Sequence, residues 1–213
     1  MSAEFIKRVI SSIVLLPLAF FVIIEGSFLF ITFVLICFLI SIYEWNRMTK
    51  NKRYKTFGFI FLFFSFLSIY NIRLNYEDSY VFFLLIFIVC ISTDIGGYIF
   101  GKLFKGPKLT IYSPKKTYAG LIGSFSFSIF SMIMFSYKFE TIEFSGKLLI
   151  FTVLISFISQ LGDIFISYFK RLSNIKDTGK IIPGHGGLLD RIDGMIFVFP
   201  FSNIFFLTNF FNV

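Results

Sequence analysis

From Tyr80 to Phe100 the chain reads YVFFLLIFIVCISTDIGGYIF, 21 consecutive positions with a single charge, at Asp94. A run of that length matches the ~20 apolar residues a helix needs to cross a hydrocarbon core of about 30 Å. Reading outward between charges gives seven such runs, at Val9–Ile24, Phe28–Tyr43, Thr56–Ile72, Tyr80–Phe100, Tyr118–Tyr137, Leu148–Phe169 and Ile192–Phe211. The third is the tightest, because only 17 residues separate Lys55 from Arg73, room for one span and not for a hairpin of two. The runs are continuous and not alternating, which excludes the strands of a membrane barrel. The expected fold is all-α, a polytopic transmembrane helical protein of about seven spans.

Composition closes the soluble alternative. Apolar residues make up 56% of the chain and 35 of its 213 positions are Phe, more apolar surface than a soluble core of this size can bury. Lys7 and Arg8 ahead of the first run imitate a signal peptide, but Ile23-Ile24-Glu25-Gly26-Ser27 lacks a small-residue cleavage pattern. The first run is therefore expected to be a retained helix. Cys37 and Cys90 fall inside apolar runs and read as small buried hydrophobes, neither a disulfide nor a metal pair.

The net charge of +8 suggests a nucleic-acid partner, and its distribution argues against one. With the loops alternating between sides, 17 of the 20 basic residues fall on the side of the N-terminal tail, leaving Arg73, Lys138 and Lys147 on the other. The positive-inside rule then places the N-terminus in the cytoplasm and the C-terminus outside. The basic excess is topological, with attraction to anionic lipid headgroups as a second use.

Two cytoplasmic regions carry polar patterns. The first holds Asp94, Tyr98 and Lys102 at i, i+4 and i+8, Gly96, Gly97 and Gly101 beside them, and Ser113-Pro114-Lys115-Lys116-Thr117 ahead of the fifth run. An acid inside an apolar run is costly and marks a functional candidate, while the glycines would admit another helix or a ligand. Lysines next to a helix N-terminus suit an anion, or simply a membrane surface. The second region places Asp163, Ser167, Lys170 and Arg171 on one helical stripe. Lys176-Asp177, the segment Pro183-Gly184-His185-Gly186-Gly187, and Asp190, Arg191 and Asp193 follow. Asp163 with the Asp190/Asp193 pair, at one membrane depth, could share Mg²⁺, which takes oxygen ligands and completes its shell with water and substrate phosphates. The basic residues would hold a polyphosphate, and the glycines would free backbone N–H groups to curl round an anion. His185, the one histidine, reads equally as a proton or hydrogen-bond donor and as a loop residue satisfied by backbone.

The run Ser167-Tyr-Phe-Lys170-Arg171, Lys176-Asp177 and Pro183-x-His185-Gly-Gly-Leu-Leu-Asp190-Arg191-Ile-Asp193 resembles the C-terminal motif of the phosphatidate cytidylyltransferase (CDP-diacylglycerol synthase) family. The segments around Asp94–Lys102 and Ser113–Thr117 resemble its other polar region, and Glu44-Trp45 a further family feature. The likeness is close over residues 90–213 and loose before them. It implies that CTP and phosphatidic acid react to CDP-diacylglycerol and pyrophosphate with Mg²⁺, with room for a second cation. It carries Asp163, Asp190 and Asp193 over as metal carboxylates, and Ser167, Lys170, Arg171 and Arg191 as catalytic contacts. Asp94, Lys102, Ser113, Lys115, Lys116, Thr117, Lys176, Asp177, His185, Gly186 and Gly187 are expected to bind substrate. Residues 1–79 then form N-terminal transmembrane helices, shortened relative to many family members, and residues 80–213 the catalytic membrane region. The expected location is a bacterial-type inner membrane with the site on the cytoplasmic face, in a chain that could pair as a homodimer. The competing activities are a CTP-dependent kinase or cytidylyltransferase acting on a polyprenol, and an ion-coupled transporter. The clustering of polar residues at helix ends, away from the midplane, disfavours the transporter.

Overall fold

A computed structural model describes residues 3–74, 79–110, 112–114, 116–139, 141–184 and 186–208. Among them are eight helices and no strand: α1 (Ala3–Glu25), α2 (Ser27–Met48), α3 (Lys55–Leu74), α4 (Ser79–Phe104), α5 (Tyr118–Lys138), α6 (Gly146–Leu172), α7 (Leu189–Ile192) and α8 (Met195–Leu207). Five of them, α2 to α6, are long and apolar enough to cross a bilayer. The first and last apolar runs form α1 and α8, whose apolar stretches Ile13–Glu25 and Met195–Leu207 are shorter. The seventh run is not one helix. It is divided into α7 and α8, although the junction residues Asp193 (φ −56°, ψ −38°) and Gly194 (φ −73°, ψ −43°) keep helical dihedrals.

The helices are turned inside out relative to a soluble bundle. On α2 the large residues Phe28, Leu35 and Leu39 face outward while Ser41 and Glu44 are buried. Lipid solvates Phe and Leu well, so large apolar residues face outward too. Small hydroxyl residues share the helix contacts with buried apolar ones such as Phe30 and Leu62. Their hydroxyls bond back to their own helix, Ser41 to the Cys37 carbonyl at 2.8 Å and Thr152 to the Leu148 carbonyl at 2.9 Å. No buried donor at these positions is left unpaired in a medium without water. Outward apolar faces on helices of spanning length make the chain an integral membrane protein.

The closest packing is between α4 and α5. A methyl group added at Gly96 would meet the Gly123 carbonyl, and one added at Gly120 would sit 2.9 Å from the Gly97 carbonyl oxygen. The α4 glycines thus admit α5. Ser124 of α5 donates to the Thr93 carbonyl at 2.8 Å, and Thr93 donates to Ser156 of α6 at 3.0 Å. Three helices are tied together one residue from Asp94. On the other flank, the basic α2–α3 loop docks on the end of α6. The Tyr54 hydroxyl lies 3.1 Å from Ser173 Oγ, Lys52 donates to the Leu172 carbonyl at 3.2 Å, and the Trp45 and Phe169 rings stand 5.4 Å apart.

Candidate active site

The two polar regions meet at one cavity of about 510 Å³. The α4 face contributes Asp94 and Tyr98; the loop before α5 contributes Ser113, Lys116 and Thr117; α6 contributes Asp163, Lys170 and Arg171. Lys176 and Asp177 from the following loop, with Asp190, Arg191 and Asp193, close the far wall.

Local chemistry explains how each group gets there. Leu109 N–H donates to the Lys116 carbonyl at 2.8 Å and Tyr118 N–H to the Pro107 carbonyl at 3.2 Å, folding the loop back on itself. Thr117 ends it as the N-cap of α5, its hydroxyl accepting from Gly120 N–H at 3.1 Å, which removes one orphan donor. The turn aims Lys116 at α6, where its ammonium lies 2.6 Å from Asp163 Oδ2 and 3.1 Å from the Gln160 carbonyl oxygen. Ser167, one turn along the α6 stripe, donates to Asp163 Oδ1 at 3.3 Å and so supports that carboxylate from behind. Gly162 brings the α7–α8 junction against α6, since a Cβ there would stand 2.9 Å from the Asp193 carbonyl oxygen.

Asp190 is buried and bonded through both of its oxygens. Oδ1 accepts from Lys170 Nζ at 2.9 Å. Oδ2 accepts from Thr178 N–H at 2.8 Å, Gly187 N–H at 3.0 Å and the Thr178 hydroxyl at 3.1 Å. Oδ2 is fully served by these neighbours, while Oδ1, with Lys170 as its partner, keeps a lone pair for a further contact. In the glycine segment it is Gly187 N–H that thus turns to an anion, one belonging to the protein. Gly186, with φ +94°, pairs with Ile182 through two backbone bonds and shapes that turn. Asp193 differs: its Oδ1 accepts from Gly194 N–H at 3.0 Å, and the carboxylate borders the cavity.

Lys102 does not line the cavity; its ammonium lies 5.7 Å from the centre of the Tyr98 ring, a cation–π contact. Lys115 and His185 lie outside the described residues. Glu44, noted from the sequence only beside Trp45, is buried under the loop and accepts from Thr178, Leu188 and Leu189. An acid at the end of the uncharged run Ser27–Tyr43 was the signal available for it.

Oxygen donors suit a hard cation. Among the described residues no three acidic, His or Cys side chains form a ready-made cage. Mg²⁺ needs only one or two carboxylates and completes its shell with phosphate oxygens and water. Asp163 of α6 and Asp193 of the α7–α8 junction both border the cavity and fit such a partial site. The basic groups interspersed with them fit a polyphosphate.

Comparison with known proteins agrees with this arrangement. A model of the cytidylyltransferase family matches residues 6–78 and 52–209. The phosphatidate cytidylyltransferase of Rickettsia typhi is 38% identical over 201 residues, covering 91% of this chain and 88% of the relative. That of Rickettsia prowazekii is 37% identical over 210 residues, covering 95% and 90%. That of Staphylococcus haemolyticus is 35% identical over 169 residues, covering 76% of this chain and 64% of the relative. With both polar regions on one cavity and the match running over nearly its whole length, the chain belongs to the cytidylyltransferase family and is a membrane-embedded nucleotidyltransferase.

Proposed function

We propose that the protein transfers the cytidylyl group of CTP to phosphatidic acid, giving CDP-diacylglycerol and pyrophosphate in phospholipid synthesis. The observation that carries this is one cavity at helix ends that gathers Asp94, Asp163, Asp190 and Asp193 with Lys116, Lys170, Arg171, Lys176 and Arg191. In the reaction an oxygen of the lipid phosphate attacks the α-phosphorus of CTP, a new P–O bond forms, and the bond to the β-phosphate oxygen breaks. A phosphate monoester is largely ionised near neutral pH, so no strong base is required. The work is positioning and charge neutralisation.

Asp163 and Asp193 would hold Mg²⁺, which supplies charge neutralisation on the polyphosphate when bound. Asp190 could join them through Oδ1, beside Lys170, while its Oδ2 holds Thr178 and Gly187. Lys170 and Arg171 at the end of α6 would contact the nucleotide phosphates, and Lys176 and Arg191 the leaving pyrophosphate. Lys116 would exchange Asp163 for a phosphate oxygen as substrate enters. The basic bias of these loops supports a cytoplasmic site, an N-terminus inside and a C-terminus outside, with α1 and α8 completing seven crossings of a bacterial inner membrane.

Purified protein in detergent, given labelled CTP, Mg²⁺ and either phosphatidic acid or a polyprenol, tests the reading. CDP-diacylglycerol should form, should vanish in Asp163→Asn and should fall sharply in Asp193→Asn. Turnover of the polyprenol without phosphatidic acid would contradict it.

A further inference from the structure

Of the described carboxylates only Glu44 and Asp190 are buried, and Glu44, at 1% exposure, does not reach the cavity. It stands near the end of α2, in the part of the chain farthest in sequence from the polar motif. Its Oε2 accepts from Leu189 N–H at 2.8 Å and from the Thr178 hydroxyl at 2.9 Å, and its Oε1 accepts from Leu188 N–H at 3.0 Å. Among the described residues no lysine or arginine pairs with it. A carboxylate buried without a cation is costly, and what it offers over an amide is acceptance from several donors at once with no N–H of its own.

All three donors belong to the segment that carries Asp190. The Thr178 hydroxyl has one hydrogen and two carboxylate neighbours, Glu44 at 2.9 Å and Asp190 at 3.1 Å, so it joins the two acids. The segment comes so close that a Cβ at Gly179 would lie 2.5 Å from Glu44 Oε1, and one at Gly187 2.5 Å from Oε2. Glycine at these positions is what the approach of Glu44 requires.

We infer that Glu44 is a positioning residue: through Thr178 and the Leu188 and Leu189 amides it fixes the Asp177–Asp190 segment against the cavity. It touches no substrate. Only the kinetic arm of its test rests on the proposed cytidylyl transfer.

Hydrogen exchange on the detergent-solubilised protein reads the clamp directly. In Glu44→Gln the Leu188 and Leu189 amides should exchange about tenfold faster, while amides of α4 and α5 stay as in the wild type. Unchanged exchange at 188 and 189 overturns the inference, whatever the enzyme's substrate. In turnover with CTP and phosphatidic acid, Glu44→Gln should lower kcat roughly 10- to 100-fold, the range for residues that orient direct ligands. Arg73→Ala, which removes a brace on the α1 carbonyls of Ile23 and Ile24, serves as a stability control. A kcat loss of the same size in that variant at a matched fall in thermal midpoint would assign Glu44 a merely structural role. Thr178→Val should cost clearly less on the Glu44→Gln background than in the wild type, and additive losses count against the clamp. Should Glu44→Gln fail to insert, Thr178→Val alone must speed exchange at 188 and 189; no change there overturns the inference. A wild-type enzyme inactive on phosphatidic acid contradicts the proposed function and leaves the exchange experiment to decide on Glu44.

Discussion

Lys116 Nζ lies 2.6 Å from Asp163 Oδ2, an ion pair that joins the loop before α5 to the polar stripe of α6. Both side chains are partly exposed to the cavity, at 21% and 29%, so the pair is accessible to an incoming phosphate or cation.

That accessibility sets the first expectation. Lys116→Met should lower kcat/KM for CTP about 10- to 100-fold, equivalent to roughly 1.5–3 kcal/mol for a charge-assisted phosphate contact. Lys116→Arg should restore part of it. Steady-state kinetics with CTP varied at saturating lipid checks this.

The Lys170–Asp190 pair is the buried counterpart, at 2.9 Å with side chains 11% and 4% exposed. Removing one partner strands a charge, so Lys170→Met should destabilise the protein by about 3–5 kcal/mol. Lys170→Met combined with Asp190→Leu should recover part of that stability while remaining inactive. Thermal unfolding in a fixed detergent measures both.

The α4–α5 contact predicts a steric contrast. Gly96→Ala presses a methyl group on the Gly123 backbone, whereas a Cβ at Gly146 meets nothing within 4 Å. Gly96→Ala should cost about 1–3 kcal/mol or more as overpacking, and Gly146→Ala almost nothing. The same unfolding assay compares them, and activity should fall only in the first, since Asp94 is two residues from Gly96.

Metal removal gives a fourth outcome. Chelation should abolish turnover and added Mg²⁺ should restore it. In Asp193→Asn, if residual activity is measurable, the Mg²⁺ concentration for half-maximal rate should rise about tenfold or more.

Some of this was legible before any coordinates. The bilayer dictates run length, so the five long helices could be read from gaps between charges, and the α6 stripe followed from helical spacing alone. The glycines at 96, 97 and 101 announced a close approach without saying that its partner would be α5. The end of the chain was harder. Asp190 and Asp193 are three residues apart and look equivalent in the sequence, yet both border the cavity differently, one buried and held by Lys170, Thr178 and Gly187, the other bonded to Gly194 N–H. That difference arises from the Lys176–Leu188 segment folding back, a tertiary contact with no periodicity. Lys102 shares helical spacing with Asp94 and Tyr98, but its long side chain settles on the Tyr98 ring. Glu44 was obscured for the same reason as Asp190, since its donors lie more than 130 positions away in the chain.

The central claim is nucleotidyl transfer at the cavity, and the position of the label in CTP tests it most directly. With phosphatidic acid and Mg²⁺, α-labelled CTP should move its label into the lipid product, and γ-labelled CTP should release its label as pyrophosphate. Appearance of the γ-label on lipid, with none of the α-label, would contradict the account and identify a phosphotransferase instead.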